Sequence, residues 1–414
     1  MRMNKKENLA VTPKFRFPEF LSEPVWSEVN IGEFLEESRI KGSKGDTAKK
    51  LTVKLWGNGV FEKQETLKGS ENTQYFRRKS GQFIYSKLDF LNQAFGIIPN
   101  HLDNYESTVD LPCFDVSGKL DVRFLLEYVQ QKNFYKKYGE IADGGRKAKR
   151  IQVETFLGFP ICLPELSEQQ KIADCLTSLD DLIAAEYKKL EFLKAHKKGL
   201  MQKLFPVEGE IVPEWRFPEF RESGEWNKEE INSIGEIVTG KTPDTNDGSL
   251  WNGDIQFITP TDISEKKYQL KTQRTVVNHA KIKVLPKNSI LFTCIASIGK
   301  MAMSVYPCIT NQQINAVIPY NSYNNEYIYY ALLKKTDLIK STLANTTLPI
   351  INKTEFSKLT LTVPKHPEEQ QKIVDCLSSL DIFLTSQAEK IEYLKSHKKG
   401  LIQGLFPSLE EVSK

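Results

Sequence analysis

The sequence lacks the segments that secretion and membrane insertion require. It contains no run of 18 apolar residues, and its first eight residues include no apolar stretch of the signal-peptide kind. Cysteine is scarce: six residues include no Cys-x-x-Cys pair, and the five histidines form no metal-ligand spacing with them. We therefore expect a cytoplasmic protein with reduced thiols and no metal site.

A strong excess of one charge is absent as well. The net charge is only +4, with 27% charged and 40% hydrophobic residues, which is ordinary for a globular protein. A nucleic-acid partner therefore cannot be inferred from the total charge, and the distribution of the charge matters more. The 414 residues are enough for about two to four units that each bury a core.

What the sequence does contain is a long internal repeat. Residues 168–206 align without a gap to residues 369–407, and 24 of the 39 positions are identical. A second repeat lies upstream, where Phe15–Phe20 recurs as Trp215–Phe220. This repeat is far longer than the roughly 20–50 residues of solenoid units. It predicts one chain that imitates a twofold dimer, with two similar sites.

The repeated segments read as two long helices. Ser167 and Gln170 form a capping-box pattern at the start of the first, Pro367 suits the first turn of the second, and Pro206 and Pro407 close the ends. Apolar residues recur at steps of four and three, which is a heptad pattern. The predicted helix–helix stripe is Ile172, Leu176, Leu179, Ile183, Leu190, Leu193, Leu200 and Leu204, repeated as Ile373, Leu377, Leu380, Leu384, Ile391, Leu394, Leu401 and Leu405.

The two helices are expected to pack on each other as an antiparallel coiled coil, although each could instead pack on its own globular domain. Four aromatic residues lie off the stripe or at its end: Phe192, Tyr393, Phe205 and Phe406. They would either dock a partner or pack against the chain's own domains.

The helices separate two mixed domains, so the predicted class is α+β. The proposed division is a polar tail (1–13), a first domain (14–165), a first long helix (166–206), a linker (207–224), a second domain (225–366), a second long helix (367–407) and a C-terminal tail (408–414). Segments 255–259, 289–293 and 315–318 read as strands, and 120–137 and 326–343 read as helices in equivalent places. The pairing of Ile31–Glu33 with Ile234–Glu236 is part of this alignment.

Basic residues cluster within both domains, at 132–150 and at 271–300. Such clusters can neutralise phosphates, although a single basic cluster is more often a solvated face. Arginine can pair with guanine and Asn or Gln with adenine in the major groove. The candidate DNA-binding residues are Lys132, Lys136, Lys137, Arg146, Lys147, Lys149, Arg150, Lys241, Thr242, Lys300, Asn311, Gln312 and Gln313.

One apparent motif is rejected. Residues 235–242 match the P-loop pattern, but that chemistry needs a buried strand before the loop and a helix after it. The preceding segment is too polar for a central strand, and residues 243–248 are turn residues. A lysine and a threonine at a turn near DNA backbone is the preferred interpretation, and nucleotide binding that is lost in Lys241→Ala would contradict it.

The repeated segments resemble the specificity (S) subunits of type I restriction–modification systems. The resemblance rests on Glu168–Ile172 and Glu369–Ile373, each after a strand that ends in Leu-Pro or Val-Pro, and on the two Lys-Lys-Gly-Leu segments that end in Leu-Phe-Pro. In the second domain it extends to Thr239–Pro243, Ser297–Gly299 and Asn311–Gln313. The first domain has no clear equivalent of the last two motifs.

The resemblance implies two target-recognition domains at opposite ends of an antiparallel helical pair. Each domain would read one half of a bipartite double-stranded DNA site, with half-sites about 34 Å apart if they lie one turn apart. The chain would perform no chemistry and hold no cofactor. Two methyltransferase subunits, using S-adenosylmethionine, would methylate a flipped adenine, and restriction subunits would require ATP and Mg. A stand-alone DNA-binding regulator with pseudo-twofold symmetry is the alternative.

Removal of the charges of Arg146 and Lys147 is expected to weaken DNA binding, because phosphate contacts dominate affinity. The double alanine variant should show a lower affinity and a smaller salt slope. If both quantities are unchanged, these two residues make no contact with DNA.

Overall fold

The computed structural model describes residues 11–64, 69–140, 150–278, 282–343 and 350–407. The chain divides into two compact units: unit 1 comprises residues 1–185 with 391–414, and unit 2 comprises residues 186–390. Each long helix therefore contributes one half to each unit. In the described part of the chain, none of the helices has the length and hydropathy that a membrane span requires.

Unit 1 combines short strands with helices, as the predicted α+β class requires. Its strands are β1 (Ser27–Asn30), β2 (Leu35–Ser38), β3 (Lys41–Lys44), β4 (Leu51–Val53), β5 (Val60–Glu62), β6 (Gln74–Arg77), β7 (Phe83–Tyr85), β8 (Phe95–Ile97), β9 (Glu106–Ser107), β10 (Cys113–Val116) and β11 (Pro160–Leu163). Its helices are α1 (Val122–Val129), α2 (Lys132–Gly139), α3 (Val153–Leu157) and the first half of α4 (Leu166–Leu204). The main sheet has the order β2-β10-β7-β8 and is antiparallel throughout.

Unit 2 repeats this plan. Its elements are β12 (Asn227–Glu230), α5 (Ile231–Ile234), β13 (Gly235–Thr239), β14 (Trp251–Ile258), β15 (Tyr268–Gln269), β16 (Arg274–Val276), β17 (Ile290–Thr293), β18 (Met301–Ser304), β19 (Cys308–Thr310), β20 (Ile314–Pro319), α6 (Asn325–Leu343), α7 (Lys353–Ser357), β21 (Thr360–Val363) and the first part of α8 (Pro367–Leu405). The second half of α4 also belongs to unit 2, and the last part of α8 belongs to unit 1. Its main sheet has the order β13-β20-β17-β18-β15, and a second sheet has the order β16-β14-β19.

Both main sheets are buried on two faces, which explains their apolar central strands. In β7, Phe83 and Tyr85 enter the core that contains the helices, whereas Ile84 between them enters a second core on the opposite face. In β17, Ile290 and Phe292 face one core and Leu291 faces the other. Alternation with a period of two along a strand produces this division.

Three sequence expectations about local structure were wrong. The predicted helix 120–137 is two helices, α1 and α2, because Gln131 adopts an extended backbone with ψ 136°. Helix α4 begins at Leu166, so Ser167 lies inside its first turn instead of capping it. The equivalent of Ile31 is Ile231, since their N–H groups donate to Phe159 O and Leu359 O in matching places.

A buried ion pair fixes the start of each long helix. In unit 1, Arg16 donates to Glu168 from Nε at 2.8 Å and from Nη2 at 2.7 Å, and the indole of Trp26 donates to the same carboxylate at 3.4 Å. Hydrogen bonding to the Glu168 carboxylate, which accepts from Arg16, is the main reason why the pKa of Arg16 is raised. Unit 2 repeats the arrangement with Arg216, Glu369 and Trp226. The repeated Arg-Phe-Pro-Glu-Phe segments therefore hold an arginine that anchors the helix.

All sixteen residues of the predicted stripe are buried or half-buried. In unit 1, Leu405 shares a core with Ile172, and Lys398 donates to Asp180 at 2.7 Å. In unit 2, Leu204 shares a core with Ile373, and Lys197 pairs with Asp381. Within each unit the contacts on the two helical segments thus run in opposite directions. A coiled coil over the full length of both helices stays a prediction.

The polar interruptions of the stripe are paired with one another. Gln387 donates to the carboxylate of Glu186 at 2.6 Å, and Lys390 donates to it at 2.5 Å. The hydrogen bonds from Lys390 and then from Gln387 hold the pKa of Glu186 below its ordinary value. The hydrogen bonds between these polar side chains therefore offset the cost of burying them in an apolar stripe.

The two aromatic residues at the ends of the helices do not form a docking surface. Phe205 is buried in unit 2 and stacks on Tyr327, with ring centroids 5.5 Å apart. Phe406 is buried in unit 1 and lies 5.1 Å from Phe124 between ring centroids. These residues pack against the chain's own domains, which was one of the two possibilities from the sequence.

We expect only two of the six cysteine thiols to react in the native protein. Burial raises the pKa of Cys113 and Cys308 to about 12 and that of Cys162 and Cys294 to about 11, so these thiols carry little thiolate at neutral pH. Cys175 and Cys376 are only half-buried. Titration with a chromogenic disulfide should therefore give about two thiols in buffer and six in denaturant. Rapid reaction of four or more native thiols would contradict these burial assignments.

Candidate nucleic-acid interface

The sheet of unit 2 brings three polar turns to one edge. Strand β13 ends where Gly240–Thr242 begins, β17 ends where Cys294–Lys300 begins, and Asn311–Gln313 directly precedes β20. Because β13, β20, β17 and β18 are successively antiparallel, these three turns meet at the same end of the sheet. We call them the unit 2 edge. Lys241, Thr242, Lys300 and the Asn-Gln-Gln segment, which the sequence offered as separate candidates, lie together here.

Close backbone approach holds the first and third turns together. The Gly240 N–H donates to Ile314 O at 3.1 Å, and a Cβ on Gly240 would lie 2.2 Å from Asn311 O. The hydroxyl of Thr242 donates to Gln312 Oε1 at 2.7 Å. This bond fixes the side-chain oxygen of the exposed glutamine, so its amide NH₂ points away from Thr242. A glutamine amide oriented in this way can donate to a base edge.

Hydrogen bonds donated by backbone N–H groups fix the middle turn, Cys294–Lys300. Lys300 N–H donates to the Thr293 hydroxyl at 2.9 Å, and Cys294 N–H donates to Gln313 O at 2.7 Å. Gly299 has a left-handed φ of 80°, and a Cβ there would lie 2.3 Å from Thr336 on α6. Only glycine fits both conditions, so the Ser-Ile-Gly segment is a packed turn that leaves Lys300 exposed.

Unit 1 has an edge with the same strand topology and different residues. Arg39–Ile40 follow strand β2, Ser86–Ala94 join β7 to β8, and Thr108–Pro112 precede β10. We call these segments the unit 1 edge. The buried Arg78 ties it together, since its guanidinium donates to Ser38 O at 2.6 Å and to Leu111 O at 3.3 Å. Burial lowers the pKa of Arg78.

The basic candidates of unit 1 that the structure describes lie around this edge. Arg150 is exposed, with Nε 3.6 Å from Asp110 Oδ1, and the next residue, Ile151, donates to Lys87 O at 3.0 Å. Lys132, Lys136 and Lys137 are exposed on α2. This helix packs on the turn between β7 and β8, since the rings of Phe134 and Phe90 lie 6.5 Å apart. Arg146, Lys147 and Lys149 lie outside the described residues.

Three residues that the sequence did not single out lie next to these edges. Thr261 is exposed in the turn after β14, whose Ile258 O accepts from Asn311 N–H at 3.2 Å. A polar turn after a predicted strand was the available signal for Thr261. Arg78 gave no signal, because an arginine in a polar segment is usually solvated. Trp56, in the turn between β4 and β5, donates its N–H to Asn92 O in the unit 1 edge, and its residue type did not distinguish it from the core tryptophans.

The P-loop match has the wrong structure for phosphate binding. Its first five residues form strand β13, and Thr242 is followed by an irregular segment instead of a helix. Among the described residues, the loop is thus not followed by the helix whose N-terminus binds phosphate in a P-loop. In the described part of the chain, no group of three or more His, Cys, Asp or Glu side chains could hold a metal ion.

Loss of the lysine charges at the unit 2 edge should lower the salt dependence of DNA binding. Each phosphate contact contributes about 0.9 to the slope of log affinity against log salt. The Lys241→Ala/Lys300→Ala variant should therefore lose about 2 from that slope. Lys194, an exposed lysine on α4 that pairs with Glu191, provides the control. Equal slopes for the two variants would remove Lys241 and Lys300 from the interface.

The fold and the two edges define a class of duplicated α+β chains, in which each domain presents an equivalent polar edge and is continued by half of a long helix. The chain belongs to the family described as type I restriction modification DNA specificity domain, whose sequence model matches residues 25–195 and 223–396. The two matches place one copy of the domain in each half of the sequence.

Individual relatives agree with this assignment. The chain is 30% identical over 194 residues to the type I restriction enzyme MjaIX specificity subunit of Methanocaldococcus jannaschii, an alignment that covers 45% of each protein. It is 24% identical to the MjaVIII specificity subunit of the same organism, over 97% of this chain and 96% of that relative. The S subunit structure from M. genitalium superposes with a TM-score of 0.60 at 14% identity, over 96% of this chain and 99% of that one. The structural similarity shows a shared fold.

Proposed function

We propose that this chain is the sequence-recognition subunit of a type I restriction–modification complex, and that each unit reads one half of a bipartite DNA duplex site. The observation that carries the proposal is the edge that occurs once in each unit, built from the same strand topology. Exposed Lys241 and Lys300 in unit 2, and exposed Lys132, Lys136 and Arg150 in unit 1, supply cations near each edge. Gln312, held by Thr242, supplies a group for base recognition.

The long helices would act as an antiparallel coiled coil that sets the spacer between the half-sites. The opposed order of contacts within each unit supports this role, as do the polar pairs that replace apolar residues in the stripe. A buried polar pair such as Glu186 with Gln387 can fix the register of a coiled coil.

Two equivalent exposed aromatic residues support docking of two methyltransferase subunits. Phe192 on α4 and Tyr393 on α8 are 201 positions apart and are each 70% exposed. Each stacks on a histidine one turn later, with ring centroids 6.3 Å apart for His196 and 6.2 Å apart for His397. An exposed aromatic anchor that occurs twice suits two copies of one partner. A stand-alone regulator would have no need of these rings, which favours the complex.

The chain itself would be non-catalytic. S-adenosylmethionine would bind the methyltransferase subunits, and ATP and Mg would be used by restriction subunits that join through them. The reaction would be methylation of adenine within the recognised site, performed after the base is flipped out of the duplex.

The decisive test is adenine methylation across the genome of cells that express a matching methyltransferase subunit with and without this chain. A two-part methylated motif that appears only with this chain supports the proposal and defines both half-sites. A methylation pattern that does not depend on the chain, while the subunits associate, contradicts sequence recognition.

The proposed docking of methyltransferase subunits at Phe192 and Tyr393 can be tested separately. Phe192→Ala and Tyr393→Ala should each lower the number of bound methyltransferase subunits from two to one, and the double variant should bind none at the same concentration. Native mass spectrometry measures this stoichiometry. Two bound subunits in the double variant would place the docking surface elsewhere.

A further inference from the structure

The hairpin between β4 and β5 in unit 1 ends in an exposed tryptophan. Trp56 is 60% exposed, the largest exposure among the five tryptophans, and Leu55 beside it is also exposed. Leu55 and Trp56 are adjacent, so the tip is a small exposed apolar patch and not a single exposed residue, and apolar surface patches can mark interaction sites. The surrounding sequence, Lys54–Gly59, otherwise consists of turn residues with two glycines.

The backbone of Trp56 is strained and firmly held. Its φ is 60°, in the left-handed region that a bulky residue rarely adopts and that glycine adopts freely. Its N–H donates to Asn92 O at 2.7 Å, and the Gly57 N–H donates to Gln93 O at 3.0 Å. The side chain of Asn58 donates to Leu55 O at 2.8 Å. Strain of this kind persists where the surrounding structure imposes it, and it is concentrated at functional sites.

The hydrogen bonds place Trp56 on the unit 1 edge. Asn92 and Gln93 belong to the segment Ser86–Ala94 between β7 and β8, which is one of the three segments of that edge. In unit 2 the corresponding segment between β17 and β18 is the Ser-Ile-Gly turn that precedes Lys300. The tryptophan therefore lies where the proposed function requires contact with DNA.

Exposed lysines lie within two residues of the hairpin tip and of its contact with α1. Lys54 is exposed two residues before it. A Cβ on Gly57 would lie 3.0 Å from Gln130 Nε2, so the hairpin tip lies against the end of α1. Two residues after Gln130, helix α2 begins with the exposed Lys132. An apolar tip with lysines nearby suits a DNA duplex, in which phosphates alternate with stacked bases.

We propose that Trp56, with Leu55 beside it, is a wedge that inserts at a base step of the half-site read by unit 1. The proposal rests on the proposed function, because it presupposes that the unit 1 edge contacts duplex DNA. Insertion would unstack one step and kink the duplex, so unit 1 would recognise deformability as well as base edges. Because the backbone is already fixed, binding would cost little backbone conformational entropy. The edge turns Gly240–Thr242, Cys294–Lys300 and Asn311–Gln313 of unit 2 contain no aromatic residue, so the two half-sites would be read in different ways.

The test uses the full chain with its methyltransferase subunit and a duplex that carries the methylated motif. 2-Aminopurine, placed in turn at each step of the unit 1 half-site, becomes brighter when it is unstacked. We expect one step to brighten with the native chain and to stay dark with Trp56→Ala, together with a loss of affinity of about 10-fold. Trp56→Phe should keep most of both signals. Trp56→Gly should lose both, and its melting temperature should be equal or higher because glycine relieves the strained φ.

Tyr320 provides the matched control, since it is a similarly exposed aromatic residue at the end of β20 away from the unit 2 edge. Tyr320→Ala should leave the affinity and the 2-aminopurine signal unchanged. If Trp56→Ala and Trp56→Gly bind and unstack DNA like the native chain, the wedge is wrong while the proposed function stands. Weaker binding of the methyltransferase subunit with unchanged DNA affinity would identify a protein contact and overturn the wedge. Failure of the native chain to direct methylation would remove the proposed function itself.

Discussion

Replacing Glu369 by glutamine is expected to lower the free energy of unfolding of unit 2 by about 3–5 kcal/mol. Glu369 and Arg216 are both almost completely buried, and two guanidinium nitrogens lie 2.6 and 2.7 Å from the carboxylate. The substitution leaves a buried cation without an anion and directs an amide NH₂ at the guanidinium. Urea denaturation followed by tryptophan fluorescence measures the loss, since the Trp226 indole donates to the same carboxylate at 3.2 Å.

A solvent-exposed pair in the same unit provides the control. Lys372 and Glu219 are 3.2 Å apart and each about half exposed, so Glu219→Gln should cost at most about 1 kcal/mol. The double variant Arg216→Met/Glu369→Leu should recover much of the stability lost in Glu369→Gln, because two apolar side chains leave no buried charge. A loss below about 1 kcal/mol in Glu369→Gln would show that Arg216 finds water or another acceptor.

The second large effect is expected at Gly240, where alanine should lower the affinity for the unit 2 half-site about 100-fold, or about 2.7 kcal/mol. The added Cβ would lie 2.2 Å from Asn311 O and 2.4 Å from Thr310 O. Both atoms belong to the backbone, so one of the two turns must move and the hydrogen bond between Thr242 and Gln312 is lost. Competition binding with duplexes that alter one half-site at a time measures the effect.

The variant Gly248→Ala is the control that distinguishes this local displacement from a general effect of replacing glycine by alanine. Gly248 lies in the turn before β14, and a Cβ there would have no neighbour within 4 Å. Gly248→Ala should therefore bind both half-sites like the native chain. Native affinity of Gly240→Ala for the unit 2 half-site would show that the unit 2 edge does not read DNA. A loss at both half-sites would instead indicate global unfolding.

The most predictable parts of the chain depend on local periodicity. The heptad steps predicted two long helices, and they extend over Leu166–Leu204 and Pro367–Leu405. The three strands predicted in the second domain are present as β14, β17 and β20. The predicted helix 120–137 was wrong because its break at Gln131 carries no glycine or proline. The two short helices result from packing, since α2 turns Phe134 and Tyr138 into the core of unit 1.

The two candidate edges could likewise be predicted only in part from the sequence. In unit 2 the residue types of Lys241, Thr242, Lys300 and Asn311–Gln313 were visible in the sequence, but their assembly at one end of a sheet was not. In unit 1 the organising residue is Arg78, whose neighbours Ser38, Ser107 and Leu111 lie up to 40 positions away. Residue type does not distinguish a buried arginine from a solvated one, because burial depends on which distant carbonyls surround it.

The sequence by itself determined the duplication, the two long helices and their apolar stripe, the α+β class and the resemblance to specificity subunits, because each follows from spacing along the chain. Only the tertiary structure decided that the turns of each sheet meet at one edge, that Phe205 and Phe406 pack inward while Phe192 and Tyr393 stay exposed, and that Trp56 is held in a strained backbone on the unit 1 edge. The physical reason is that strand order and burial are set by contacts between residues far apart in sequence, whereas helical periodicity is set by neighbours three and four positions away.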